Sequence, residues 1–220
     1  ALYHYAHLPH IFKPQRRIDT NVVPGSEEKL DMLQYCVQTL TERGYVFIGM
    51  DHFAKPDDEL SIALKEGFLQ RNFQGYSTYA DCDLVAIGVS SIGKIGSTYS
   101  QNERDIDAYY AALDAGHLPI MRGYQLNQDD ILRRNIIQDL MCRFSLDYQI
   151  YESVFGIPFS RYFVAELEDM KQLETLGLVR LKPYGLTVTP KGRFLIRNIA
   201  MVFDYHLRHK ETKAKYSQTV

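Results

Sequence analysis

Three points in the sequence combine reactive or small residues with the end of a short apolar run. They are Tyr5-Ala6-His7, Asp51-His52-Phe53 and Ser90-Ser91-Ile92-Gly93. In α/β barrels the C-terminal ends of strands, and the loops after them, build the site. The small residues of the third point let backbone N–H and C=O groups approach a ligand closely. The plainer alternative is three ordinary βα turns. Asp51 beside His52 has the composition of an acid–base pair, or of a hydrogen bond that closes a strand end. The stretch Arg71-Asn72-Phe73-Gln74-Gly75-Tyr76 offers Gln74 as a hydrogen-bonding group for a polar ligand, against the plainer reading of a surface loop. His4, His7 and His10 recur every three residues, but Pro9 interrupts them, and in a strand such residues point to opposite faces, so no metal face is expected. Cys36, Cys82 and Cys142 lie far apart and show no zinc or iron–sulfur ligand spacing. An odd count of this kind fits a reducing cytoplasm rather than a disulfide framework.

These points need elements to position them. Residues 1–9 read as a strand running into Pro9, and 10–25 as a basic, Pro-punctuated loop. Ser26 is a candidate N-cap, with Glu27 and Glu28 in the first turn. Leu30, Leu33, Val37 and Leu40 follow at helical spacing until Gly44. Tyr45–Met50 reads as a strand, and strand–helix–strand is the pattern of a parallel sheet. A helix from Pro56 to Gly67 follows. Leu84–Val89, continuously apolar, is expected to be a strand buried on both faces. It leads into a loop of small residues at 90–96 and a helix capped by Asn102 and closed by Gly116. Around 117–124 the pattern changes. Asn127 caps a long helix, a shorter one covers about 147–154, and a third runs from Ser160 to Gly177. Residues 178–181 and 186–189 form a hairpin, and Thr189-Pro190 opens a final helix through Leu207. That order is winged-helix-like. The tail beyond His209 is polar.

Composition narrows the function. The chain has 220 residues, 45% hydrophobic and 24% charged, with a net charge of −2. This is ordinary globular composition. No apolar run approaches the about 20 residues of a membrane helix, and no leader-type start is seen. The candidate recognition helix, 160–176, carries Arg161 and Lys171 against Glu166, Glu168, Asp169 and Glu174. Phosphate would be repelled there, so nucleic acid is not an expected partner. Because the sequence from Ala1 reads at once like a core strand, it is expected to be a piece of a longer chain.

Five segments together carry a specific resemblance: YAHLP (5–9), GMDHFAKPDDEL (49–60), RNFQGYST (71–78), GVSSIG (88–93) and TPKGRFLIRNIAMVFDYHLR (189–208). They are similar to the oxygen-independent coproporphyrinogen III oxidase family, the radical S-adenosylmethionine enzymes of haem biosynthesis. RNFQGY resembles the oxidase rather than the related haem chaperones. The resemblance implies oxidative decarboxylation of two propionates of coproporphyrinogen III to vinyl groups, giving protoporphyrinogen IX. The radical would be 5′-deoxyadenosyl, formed from S-adenosylmethionine at a 4Fe–4S cluster with an external electron donor. It implies an α/β fold: part of an open radical-SAM β/α barrel over 1–118, then a mostly helical, winged-helix-like domain over 119–209. By position in these motifs, Ala6, Ile92 and Gln74 would contact S-adenosylmethionine. The family's C-x3-C-x2-C motif is not in this sequence, so the chain alone is expected not to bind the cluster or turn over. The full enzyme would be a monomer and the fragment is expected to self-associate. Arg16, Arg17, Arg122 and Arg143 are cationic candidates for the propionates, with no basis for choosing among them. The alternative from another class is a cluster-less, non-catalytic module that binds a tetrapyrrole or a partner protein.

Overall fold

The computed structural model describes residues 1–3, 5–79 and 82–209. It is built from helices and small antiparallel sheets. The described residues from Leu2 to Pro9 form no strand, since they find no ladder partner among the described residues; Leu2 N–H donates instead to Asp51 C=O, at 2.8 Å. Two 3₁₀ turns, Lys13–Arg17 and Thr20–Val22, lead to helix α1, Ser26–Glu42. Its expected stripe faces inward, with Leu33 buried and Leu30, Val37 and Leu40 half-buried. The N-cap position itself is Gly25, one residue earlier than expected.

Strand β1, Val46–Gly49, turns back at once on β2, His52–Ala54. The pairing is antiparallel, with Phe47 opposite Phe53. Parallel pairing from the strand–helix–strand order is therefore not what the fold uses; every sheet pairing among the described residues is antiparallel. Met50 adopts a left-handed φ of 52° in the turn, and Gly49 has φ 155°. A Cβ on Gly49 would collide with the Tyr76 hydroxyl, so the glycine is required for that approach. Helix α2, Glu59–Glu66, starts on the Asp58 carboxylate, which accepts from Leu60 N–H at 2.9 Å, and ends at left-handed Gly67.

The stretch expected as loop at 71–76 is a hairpin, β3 Gln70–Asn72 with β4 Gly75–Ser77, and Phe73-Gln74 form its turn. Residues 84–89 do not form the expected buried strand. Only Leu84 makes a bridge, to Lys94, while Val85 and Ile87 are 67% and 84% exposed. Apolar character alone cannot bury a run that no neighbouring element covers. The expected loop at 90–96 instead supplies β5, Ile92–Ile95, which joins β6, Thr98–Asn102. Helix α3, Ile106–Asp114, is capped by Asp105, not Asn102. Asn102 is buried at the end of β6, where its amide donates to Ala86 and Gly88 carbonyls at 3.3 and 2.9 Å. Strand β7, Ile120–Gln125, completes this sheet as an edge strand exposed along its length.

Helix α4, Gln128–Arg143, opens with the expected Asn127 cap, strengthened by a reciprocal bond from Asp130. Then come β8, Ser145–Asp147, α5, Tyr148–Phe155, α6, Phe159–Tyr162, and α7, Val164–Thr175. The expected helix from Ser160 is thus broken at Phe163. Strands β9, Val179–Lys182, and β10, Gly185–Val188, form the expected hairpin, which β8 extends to three strands in the order β8-β10-β9. The final helix is three short pieces, α8 Pro190–Phe194, α9 Ile196–Met201 and α10 Tyr205–Arg208. Between the breaks at Leu195 and Asp204, α9 turns Ile196, Ile199 and Ala200 inward and packs on α4, while Phe194 of α8 stacks on Phe47 at 6.0 Å. The core lies here: Ile136 and Leu140 of α4 meet Phe159, Phe163, Met170, Ile199 and Phe203, all essentially inaccessible. Tyr148 stacks on Phe159 at 4.2 Å between centroids, and Phe159 meets Phe163 at 4.7 Å. Each such ring contributes about 2–3 kcal/mol by burial. Ile48, Ala54, Ala63 and Leu69 extend the same core under β1 and α2.

Candidate functional site

A cavity of about 750 Å³ opens between the segment 2–10, the β1–β2 turn, the β3–β4 turn and the α8–α9 junction. Ala6, Asp51, His52 and Gln74 all face it. The wall is held by side chains acting on backbone. The Gln15 amide donates to Ala6 C=O at 3.0 Å and its carbonyl oxygen accepts from Leu8 N–H at 2.5 Å. Arg16 donates to Pro9 C=O at 2.9 Å. Gln15 was not singled out from the sequence, because a glutamine in a loop carries no signal of which backbone it will meet.

Asp51 and His52 are joined by a hydrogen bond of 2.7 Å at His52 Nδ1, both about one-fifth exposed. The His52 ring stands edge-on to Tyr76 at 5.3 Å, and a Cβ on Gly75 would come within 3.2 Å of its Nε2. Tyr76 donates to Met141 C=O at 3.1 Å, and burial pushes its hydroxyl pKa up, so it remains a donor. The Asp51–His52 pair therefore faces the cavity and is also wedged against the hairpin. Arg193 backs this wall: it donates to Phe47 C=O at 3.0 Å and lies over the Phe144 ring at 4.1 Å, and burial pulls its pKa down.

Gln74 N–H donates to Asn72 Oδ1 at 2.8 Å, which shapes the turn, and the exposed Gln74 side chain has no hydrogen bond among the described residues. Ile92 starts β5 in a different sheet and does not line this cavity. The structure thus brings Ala6 and Gln74 together and leaves Ile92 apart. His7 is bonded to the Tyr5 hydroxyl at 2.9 Å and His10 lines the cavity; His4 lies outside the described residues.

A second cavity, of about 1000 Å³, lies on the other side of the hairpin, bounded by β3, Leu84, Lys94, α4 and the α9–α10 segment. Met50, Arg71, Phe73 and Arg197 line both cavities, so they form the partition between them. At its rim Asp130 gathers three partners: Asn127 N–H, the Tyr124 hydroxyl and His206 Nε2 at 2.8 Å. Burial opposes ionisation of Asp130, but these donors outweigh it and hold the carboxyl below its usual pKa.

Of the four arginines weighed from sequence, three are engaged in the fold: Arg16 as above, Arg122 on Gln101 at 2.7 Å, and Arg143 on Gly67 C=O and Asp139. Arg17 ends an exposed 3₁₀ turn. The cysteines do not suit a cluster. Cys142 is buried and its thiol is pushed up to about 12, chiefly by desolvation, whereas Cys82 is exposed. Among the described residues no three or more His, Cys, Asp or Glu side chains converge to hold a metal ion. Nor is any described helix long and apolar enough to cross a membrane.

Residues 126–195 match the HemN C-terminal domain. The whole chain is 45% identical to the oxygen-independent coproporphyrinogen III oxidase of Salmonella typhimurium, covering 48% of that protein. The Pseudomonas aeruginosa oxidase is 49% identical over 207 residues, 94% of this chain and 45% of its own length. A solved structure, described as coproporphyrinogen III oxidase (HemN) from Escherichia coli, a radical SAM enzyme, superposes with a TM-score of 0.88. It covers 92% of this chain and 47% of that one, at 48% identity. The chain is therefore similar along its entire length to oxygen-independent coproporphyrinogen III oxidases, and it spans about half the length of the curated relatives it matches.

Proposed function

We propose, on that kinship, that this chain is the C-terminal portion of an oxygen-independent coproporphyrinogen III oxidase, and that it completes the S-adenosylmethionine pocket and covers the substrate. The observation that carries the reading is the shared cavity of Ala6 and Gln74, two residues separated in sequence and brought onto one wall by the hairpin turn. Gln74 offers an unengaged amide, donor and acceptor together. Phe73 and Leu33 give that cavity apolar surface for an adenine ring. When bound, S-adenosylmethionine supplies the hydrogen-abstracting 5′-deoxyadenosyl radical of the family reaction. This chain's part is to bind and orient it, through Gln74 and the backbone near Ala6, and to exclude water. Ile92 is retained as a third contact by its place in the GVSSIG motif, at the start of β5 and off this cavity. The C-x3-C-x2-C motif that would hold the cluster is not among this chain's residues.

In this reading residues 1–118 are barrel wall and 119–209 the winged-helix-like cover. The setting is the cytoplasm, the substrate coproporphyrinogen III, and the electron donor external. The test is a fusion in which the part of the Escherichia coli relative that this chain does not cover precedes residues 1–220, reconstituted anaerobically. Protoporphyrinogen IX is the expected product. A fusion that carries the cluster and binds S-adenosylmethionine yet makes none overturns the reading. In the same fusion, Gln74→Ala is expected to weaken S-adenosylmethionine binding about tenfold, the loss of one or two hydrogen bonds to a charged ligand. An unchanged affinity would remove Gln74 from the pocket.

Self-association of the isolated chain follows from exposed surface. Strand β7 is an exposed edge, and Val85, Ile87 and Leu118 are 67%, 84% and 79% exposed. Unpaired strand edges and apolar patches of this kind recruit other chains. Sedimentation velocity of residues 1–220 is expected to show dimers or larger species that grow with concentration. A monomer at high concentration would refute this.

A further inference from the structure

The larger cavity holds cations with no hydrogen-bond acceptor among the described residues, though Arg71 lies over the Tyr76 ring at 5.6 Å. Arg133, on its wall, is fully engaged: it donates to Asp129 and Glu166 at 2.8 Å each and to Phe203 C=O at 3.2 Å. Its neighbours differ. Arg71 and Arg134 are half-buried, and each has a guanidinium nitrogen shut off from solvent with no partner among the described residues, Nε in Arg71 and Nη1 in Arg134. Neither makes an ion pair or a side-chain hydrogen bond within the described residues. They sit on adjacent elements, β3 and α4, which are tied by a hydrogen bond from Gln138 to Gln70 at 3.0 Å. Lys94 of β5, half-buried, lines the same cavity. The carboxylates on this cavity bond within their own segments or to neighbours other than these cations: Asp83 accepts from Gly96 N–H, Asp204 from Leu207 N–H, and Asp130 from its three donors.

A buried guanidinium N–H without an acceptor costs free energy, and an unpaired buried charge costs more. An arrangement of this kind is stable when a ligand brings the acceptors. Phe73, Tyr99, Ile137 and Met141 supply apolar wall between the cations. A largely apolar macrocycle bearing carboxylate arms matches both features, and the volume is at the upper end for small-molecule sites. Guanidinium suits carboxylate because its planar fork bonds both oxygens.

We infer that Arg71 and Arg134 are carboxylate receptors of this cavity and each take one propionate arm of the porphyrinogen, with Lys94 as a third cation on its lining. This rests on the substrate class proposed above and assigns it residues. Arg71 also lies on the partition with the Ala6–Gln74 cavity, so an arm held there is directed toward the nucleoside side.

The test needs no turnover. Coproporphyrin III, the stable oxidised form, is titrated into residues 1–220 and followed by its fluorescence. Arg71→Gln and Arg134→Gln are each expected to raise Kd about tenfold, with part recovered by Arg→Lys. Coproporphyrin tetramethyl ester, which lacks the charges, is expected to bind more weakly and to be indifferent to both substitutions. Arg180→Gln, exposed on β9 and lining neither cavity, is the control that leaves Kd unchanged, and circular dichroism checks folding of every variant. No binding by the wild type, an unchanged Kd in both variants, or ester binding as tight as acid overturns the inference. The fusion separates this from the functional reading. Turnover with an unaltered KM in both variants sinks the subsite and leaves the reading standing. Arginine-dependent porphyrin binding without turnover in the fusion does the reverse.

Discussion

Arg133→Met is expected to destabilise the chain by about 3–5 kcal/mol, the cost of removing one partner of a buried ion pair. Glu166 is 5% exposed and Arg133 9%, and Arg133 is the one side chain bonded to the Glu166 carboxylate among the described residues. Methionine keeps the unbranched stem and removes the guanidinium, whose carbon lies 5.1 Å from the centroid of the Phe163 ring and 5.4 Å from that of Tyr205. The loss is therefore electrostatic more than steric: a carboxylate left in the core with no donor, and Phe203 C=O deprived of its bond. The urea midpoint of the variant measures it. The double variant Arg133→Met, Glu166→Leu is expected to recover most of the loss, because replacing both charges by apolar groups of similar size removes the orphan. If the double variant is as unstable as the single one, the pair is not what holds α4, α7 and the α9–α10 turn together.

Gly192→Ala is expected to cost about 3 kcal/mol, at the upper end for inserting one methyl into a filled space. A Cβ there would run into the Leu178 carbonyl oxygen and lie 2.9 Å from Val188 Cγ1. The carbonyl cannot yield easily, because it already accepts from Thr189 N–H at 2.9 Å and from Thr189 Oγ1 at 3.1 Å. Those bonds anchor the start of α8 to the β9–β10 hairpin, so relief of the clash breaks the cap as well. The expected readout is a lowered urea midpoint with unchanged slope. Gly25→Ala, where nothing lies within 4 Å, is the control, with an effect under about 1 kcal/mol. Equal losses in the two variants would show that chain conformation rather than space sets the need for glycine at 192.

The elements that follow from local chemistry were legible in the sequence. The Asn127 cap, the helix closed by Gly67, the 178–189 hairpin and the Thr189-Pro190 start need only neighbouring residues to form, and the structure contains them. The motif segments likewise marked the relationship, because specificity there lies in residue order. What failed needed a partner distant in sequence. Leu84–Val89 has the apolar run of a buried strand, yet burial requires a covering element. The segment at 1–9 has strand composition, yet a strand requires a ladder. RNFQGY looked like loop, and became a hairpin because Gly75 admits the close approach of His52 and Tyr76 reaches Met141 on α4. The sequence by itself determined the caps, the turns, the helical stripes and the family likeness, since these are interactions a few residues long. Only the tertiary structure decided that Ala6 and Gln74 share a wall, that Arg133 is neutralised while adjacent Arg134 is not, and that Arg71 stands between two cavities. Those depend on which chains meet across tens of residues, and single-chain periodicity carries no record of that meeting.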